Sequence, residues 1–199
     1  MHVLELARKH KARVIYFSSY LYGNPQYLPI DEKHPIFPHN PYSQSKIICE
    51  KLCEGYNRDF NVPVIIFRPF NIYGPGQNSS FLIPKIIEQL KTGEVFLKDP
   101  RPRRDFIYVQ DVIDAVMNAI DYDKTSFELF NLGYGKSYSI KEIVTIIQKV
   151  SKLHGIVTFS NEIRQSEVMN TIACTSKLSS YFNWKPKVDV WEGINNLMG

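Results

Sequence analysis

Two continuous apolar runs, Arg13-Val14-Ile15-Tyr16-Phe17 and Val64-Ile65-Ile66-Phe67-Arg68, constrain this chain more than any other feature. A strand with one wet face alternates polar and apolar residues. An unbroken β-branched run marks a strand buried on both faces, as in a parallel sheet. Phe127 to Leu132 reads as a third apolar strand ending at Gly133. Helical patterns fall between the runs, so the spacing predicts an α/β fold in which crossover helices join parallel strands. Ligands of such sheets bind beyond the carboxyl ends of the strands. Ser18 follows the first run, and Arg68 through Asn71 follow the second.

The rest of the chain fits this frame. Leu4 to Lys11 reads as the end of an amphipathic helix. Pro25, Pro29, Pro35, Pro38 and Pro41 punctuate a long loop, which in a compact domain is often functional. A helix is expected from Tyr42 to Phe60, and Gly74-Pro75-Gly76 makes a turn. Phe81 to Leu90 is helical and closed by Gly93; short strands follow at Val95–Leu97 and Phe106–Val109. Asp111 is placed to cap a helix running to about Ile120. Ser139 with Glu142 forms a capping box for a helix to about Lys152. Ile156–Phe159 reads as a strand, and Ser176–Phe182 and Val190–Leu197 as small helices.

Composition excludes several classes. Of 199 residues, 44% are hydrophobic and 22% charged, ordinary for a soluble globular chain. No apolar run approaches the ~18 residues of a membrane span. Charges interrupt Met1-His2-Val3-Leu4-Glu5, which does not read as a signal peptide, and the cytoplasm is the expected location. The net charge of +4 is scattered. Its densest cluster, Arg101-Pro102-Arg103-Arg104, is too short for a nucleic-acid surface and suits a phosphate-bearing small molecule. Three cysteines argue against a disulfide scaffold, and Cys49 and Cys53 on one helix face read as small hydrophobes. No Cys/His cluster has metal-site spacing, so no metal is expected.

Asn40-Pro41-Tyr42-Ser43-Gln44-Ser45-Lys46 opens the long helix and puts Tyr42 and Lys46 one turn apart on one face. An ammonium there favours the ionised phenol, and such a tyrosine exchanges a proton during redox chemistry at a carbinol carbon. Alone the pair is weak. Ser18, at the tip of a buried strand, adds a hydroxyl on the same side of the sheet.

With that set the sequence resembles the extended short-chain dehydrogenase/reductases, the NAD-dependent nucleotide-sugar epimerases and dehydratases. The matching blocks are Ser18-Ser19-Tyr20-Leu21-Tyr22-Gly23, Pro41 to Lys46, Arg68 to Gln77, Arg104 to Val112, and Asn131-Leu132-Gly133. The resemblance implies a partial Rossmann-like sheet over residues 1–75 carrying the catalytic helix. Residues 76–199 are then mainly substrate-binding, with segments around 105–132 returning to the sheet. It implies Tyr42 as acid/base, Lys46 as its activator and nicotinamide-ribose ligand, and Ser18 as partner of the reacting sugar oxygen. Pro69 and Phe70 would lie near the nicotinamide of NAD. Ser19, Asn71, Arg104 and Arg164 would hold the nucleotide-diphosphate sugar. Arg68 has a plainer reading, an ion pair at a strand end, and for Arg164 a salt bridge competes with a phosphate contact. The family's twofold helix interface implies a homodimer through Tyr42–Phe60, whose Ile47, Ile48, Leu52 and Tyr56 exceed one core face.

The departures narrow the activity. Family dehydratases carry an acidic pair after the catalytic hydroxyl, and the decarboxylases a glutamate. Ser19 and Tyr20 stand there instead, which favours an epimerase or a 4-ketoreductase over a dehydratase. Lys98-Asp99-Pro100 replaces a Gly-x-Gly pair, so the substrate loop is expected to differ in shape. No three of the ten glycines show the Gly-x-x-Gly-x-x-Gly spacing of the family's pyrophosphate turn. The expectation is a truncated enzyme whose binding of NAD by this chain alone is doubtful. The competing class is a non-enzyme: a remnant, a nucleotide-sugar binding module, or half of a split enzyme completed by a second chain.

Overall fold

The computed structural model describes residues 1–38, 40–122, 126–164 and 167–199. In chain order the elements begin α1 (His2–His10), β1 (Val14–Phe17), α2 (Pro41–Phe60), β2 (Val64–Pro69), β3 (Asn71–Tyr73), α3 (Leu82–Lys91), β4 (Glu94–Leu97) and β5 (Arg103–Tyr108). They continue with α4 (Val109–Ile120), β6 (Phe127–Leu132), β7 (Ser137–Ser139), α5 (Ile140–Ser151), β8 (Ile156–Phe159), α6 (Ser176–Phe182) and α7 (Val190–Met198).

The three apolar runs form one parallel sheet, ordered β1-β2-β6, in register Val14 to Val64 and Val64 to Phe127. Helices α1 and α2 cover one face, where Leu4, Ala7 and Cys53 pack on Val64 and Ile66. Helices α4 and α6 cover the other, where Ala115, Ala119 and Leu178 pack on Ile65, Phe67 and Phe130. This three-layer arrangement explains why β2 is buried from Val64 through Arg68. It also corrects the reading of β1, which is not buried on both faces. Among the described residues β1 has a neighbour on one side only, its first three residues are half-buried, and Phe17 is exposed. The apolar run marks membership of the sheet, not the strand's place in it.

A second body of structure lies beyond the carboxyl ends of this sheet. There β5 pairs in parallel with β3 and antiparallel with β7, and β4 pairs in parallel with β8. Its core joins Ile83, Ile86 and Leu90 of α3 to Ile143 and Ile147 of α5 and Ile194 of α7. β3 and β7 have no counterpart in the sequence reading, because three residues are too few to show a period. The capping box at Ser139 and Glu142 is present and starts α5. Asp111 is not the cap of α4. It lies inside the first turn, buried, accepting the backbone N–H groups of Lys187 and Val188 at 2.9 and 3.1 Å. The three cysteines are free thiols, with Cys53 buried. Among the described residues no helix is long and apolar enough to cross a membrane, and no group of acidic, His and Cys side chains is arranged for a metal.

Candidate active site

A cleft of about 700 Å³ opens where the two bodies meet, walled by the ends of β1 and β2, the start of α2, and residues of α3, β4 and β5. Eight of the nine residues singled out from sequence line it: Ser18, Ser19, Tyr42, Pro69, Phe70, Asn71, Arg104 and Arg164. The ninth, Lys46, lies beside the wall.

Each is placed by local chemistry. Ser18 follows β1 with its N–H on the Phe67 carbonyl at 2.8 Å, and its hydroxyl is buried with no partner among the described residues. A buried hydroxyl without a partner is costly, so this one points to a ligand oxygen. Tyr42 sits in the first turn of α2, whose start is fixed by Pro41 and by the reciprocal Asn40–Ser43 capping box. The residue is 58% exposed. Lys46 donates to the Phe17 carbonyl at 2.9 Å, and its Nζ lies 5.6 Å from the centre of the Tyr42 ring. Phe70 is held by its N–H on the Leu132 carbonyl at 2.8 Å, and Asn71 Nδ2 donates to the Asp105 carbonyl at 3.0 Å. Tyr20 turns its hydroxyl to the Gly23 carbonyl at 2.7 Å, and burial pushes its phenol up.

The other end of the cleft is charged. Arg104 bonds Glu167 and donates to the Val168 carbonyl at 2.5 Å. Arg164 is largely exposed, 4.0 Å from the other Glu167 oxygen. Lys98 pairs with Glu162 at 2.9 Å. Asp99 pairs with Arg101 at 2.9 Å, and those bonds hold its carboxyl below the ordinary value. The alternatives for Arg164 thus meet at one place, beside a carboxylate and on the cleft wall. Behind Arg104, Asp105 is fully buried and accepts from the N–H groups of Tyr134, Gly135 and Ala173 at 2.7 to 2.9 Å. Burial raises its carboxyl to about 6 against the pull of those three donors.

The structure adds a buried hub that the sequence reading did not assemble. Arg68 makes the ion pair its plainer reading foresaw, with Glu50, through Nε at 2.9 Å and Nη2 at 2.6 Å. Its Nη1 donates to the Tyr22 hydroxyl at 3.1 Å, and Tyr22 donates to Asn131 Oδ1 at 2.5 Å. Asn131 in turn donates to the Ile30 carbonyl and, through its backbone, to Glu32. The hub joins the segments that bear the site: Tyr22 follows Ser18, Glu50 is two turns past Tyr42, and Arg68 precedes Pro69–Asn71. Burial lowers the Arg68 guanidinium, but its bonds to Glu50 and Tyr22 outweigh that and leave it raised; burial takes the Tyr22 phenol up to about 12. The signal in sequence was the eight-residue step from Tyr42 to Glu50, which shares a helix face with Lys46.

A sequence model described as the NAD dependent epimerase/dehydratase family matches residues 1–133. A putative UDP-glucose 4-epimerase of Methanocaldococcus jannaschii is 33% identical over all of this chain, which covers 66% of that protein. The dTDP-D-glucose 4,6-dehydratase of Homo sapiens is 31% identical over 97% of this chain and 58% of its own. Among solved structures, the UDP-glucuronic acid 4-epimerase of Bacillus cereus in complex with UDP-glucuronic acid and NAD superposes with a TM-score of 0.88 at 26% identity, over 98% of this chain and 63% of that one. The chain thus spans less than two thirds of the length of these curated relatives.

Proposed function

The chain belongs to the NAD dependent epimerase/dehydratase family, and on that premise we propose that it carries the catalytic and substrate-binding part of a nucleotide-sugar epimerase. The observation that carries this reading is the pair of hydroxyls at one end of the cleft. Ser18 is buried and unpartnered, and Tyr42 opens to the same space. The carboxylates on the cleft wall, Asp99, Glu162 and Glu167, are each engaged by a cation at the other end. Elimination of water needs a carboxylic acid or base beside the sugar, so the dehydratase alternative is disfavoured. A 4-ketoreductase remains the alternative within the enzyme class.

The residues at the hydroxyl end fit the nicotinamide half of NAD, since the orphaned Ser18 hydroxyl and Phe70 border a space open to Tyr42, with Lys46 beside that ring. When bound there, NAD supplies the acceptor and donor of hydride. Tyr42 takes the proton of the sugar hydroxyl at its phenolic oxygen and later returns it. Ser18 donates a hydrogen bond to the same sugar oxygen and holds it against Tyr42. Lys46, bonded to the Phe17 carbonyl, stands beside the Tyr42 ring and would hold the nicotinamide ribose. Asn71, Ser19, Arg104 and Arg164 hold the nucleotide diphosphate, leaving the sugar free to turn over between removal and return of hydrogen.

The assay is incubation of the chain with NAD and UDP-, dTDP- and GDP-sugars, with products identified by chromatography. Inversion of one carbinol centre by the wild type, lost in Tyr42→Phe, is expected; a variant as active as the wild type overturns the assignment.

A second reading has its own observations. The ten glycines hold no three-glycine turn, and β1 has an open outer edge among the described residues. On this reading the chain binds the nucleotide sugar but does not turn it over alone, and a second polypeptide supplies the dinucleotide end. Calorimetry separates the two, because tight NAD binding by the chain alone sinks the second reading. The homodimer through α2 rests on less apolar surface than the sequence suggests. Leu52 and Tyr56 pack against α1 and the sheet, while Ile48 and Phe60 stay exposed. A monomeric mass in light scattering would refute it.

A further inference from the structure

Charge along the cleft wall does not balance, and the imbalance identifies a ligand group not assigned above. Among the described residues four cations line the cleft, Lys85, Lys98, Arg104 and Arg164, against three carboxylates, Asp99, Glu162 and Glu167. Asp99 is neutralised by Arg101 outside the wall. Lys98 and Glu162 cancel each other, as do Arg104 and Glu167. Two positive charges are left, those of Arg164 and Lys85. Among the described residues Arg164 has only the far oxygen of Glu167 as ion-pair partner, at 4.0 Å, on a carboxylate already bonded to Arg104. Among the described residues Lys85 has no counter-ion within ion-pair distance, although Glu88 lies three residues further along the same exposed helix surface.

The position of Lys85 is unfavourable for the helix itself. It stands in the opening turn of α3, where the helix dipole is positive, and that turn holds no acidic residue and no side-chain cap. α5 and α7, by contrast, each begin with a side-chain cap and a glutamate in the first turn. Phe81, Leu82 and Ile83 line the same cleft as Lys85. A cation that opposes its own helix dipole, with no counter-ion among the described residues and on a cleft wall, is available to an anion that enters the cleft.

We infer that Lys85 is a ligand of the substrate diphosphate, and that beside the Glu167-paired Arg104 it supplies, with Arg164, the two positive charges not already neutralised by a carboxylate, matching the two negative charges of a nucleotide-diphosphate diester. This rests on the nucleotide-sugar reading above. It predicts selection by charge count: a nucleoside diphosphate sugar is held more tightly than a nucleoside monophosphate ester, and a neutral nucleoside does not sense Lys85.

The test is calorimetric titration of the chain with UDP-glucose, inorganic pyrophosphate and uridine, at low and moderate salt. Lys85→Gln is expected to weaken UDP-glucose and pyrophosphate about tenfold at low salt, with a smaller loss at moderate salt. Lys85→Arg should restore most of the affinity. Lys91→Gln, which removes a charge from the last turn of the same helix, should change nothing, and uridine should bind all variants alike. Equal affinities of the wild type and Lys85→Gln for both phosphate probes overturn the inference while leaving the nucleotide-sugar reading intact. Pyrophosphate binding that depends on Lys85, without any binding of UDP-, dTDP- or GDP-sugars, supports the inference and sinks that reading. No binding of either phosphate probe by the wild type refutes both.

Discussion

The two ends of the cleft use charge in opposite ways. At the hydroxyl end Ser18 and Tyr42 present hydroxyl groups, and the charged pair Arg68–Glu50 is hidden beneath them as scaffold. At the other end charges form the wall themselves, and every cation there except Lys85 stands beside a carboxylate before any ligand arrives. A buried ion pair gives little net stability over packed apolar residues, but its planar fork fixes how the groups carrying it are turned. The hydroxyl end thus keeps its hydroxyls at the cleft surface and its ion pair beneath. At the charged end the ion pairs are themselves the wall.

Four measurements break or sharpen this contrast. The largest effect is expected from Arg68→Met, which strands the Glu50 carboxylate in the core and should cost about 3–5 kcal/mol in urea unfolding. Adding Glu50→Leu should return most of it. If the double variant is as unstable as the single, the pair is more than scaffold. Next comes Asp105, behind the charged end. Its folded carboxyl, at about 6, lies above the unfolded value, so the folded state holds the proton more tightly. Its stabilising contribution is complete below the unfolded value and is lost as pH rises from ~4 to ~6, on the order of 3 kcal/mol at most. Asp105→Asn should remove that slope from the pH dependence of unfolding, and an unchanged slope would place the titration elsewhere. Arg104→Met should cost about 2 kcal/mol, because Glu167 and the Val168 carbonyl lose a charged donor, and should weaken nucleotide-sugar binding in parallel. Stability retained with binding lost would make the charged end resemble the hydroxyl end. Smallest in stability is Ser18→Ala, within ~1 kcal/mol of wild type because the hydroxyl has no partner to lose, yet turnover should fall roughly tenfold or more. A large stability loss there would mean that Ser18 is structural.

The sequence made the scaffold legible where its signal was local. The apolar runs, the α2 start at Asn40-Pro41 and the Ser139–Glu142 box depend on neighbours within a few residues, and all are present. Ser18, Tyr42 and Asn71 converge because strand ends and a helix start share one side of a parallel sheet. What was not legible depends on distant partners. β1 and β2 carry similar runs, yet one is an edge and the other a centre, a difference decided by what lies alongside. The partners of Arg68, Glu167 and Asp105 are set by tertiary contact. Asp111 was misread because a cap and a first-turn acid have the same local pattern, and only residues 187 and 188 distinguish them.

The register of the parallel sheet has a consequence for how the site comes into being. Val14 meets Val64 and Val64 meets Phe127, so each pairing closes a loop of 50 residues or more. Such closures are slow compared with the formation of a capped helix. The ladders that set Ser18 beside Phe67 and Phe70 beside Leu132 should therefore gain exchange protection late in refolding, after α5. Pulse labelling that finds β1 protected as early as α5 would reverse that order. If the order holds, the apparatus for chemistry is assembled by the slowest steps of folding, and a chain caught midway has helices but no cleft.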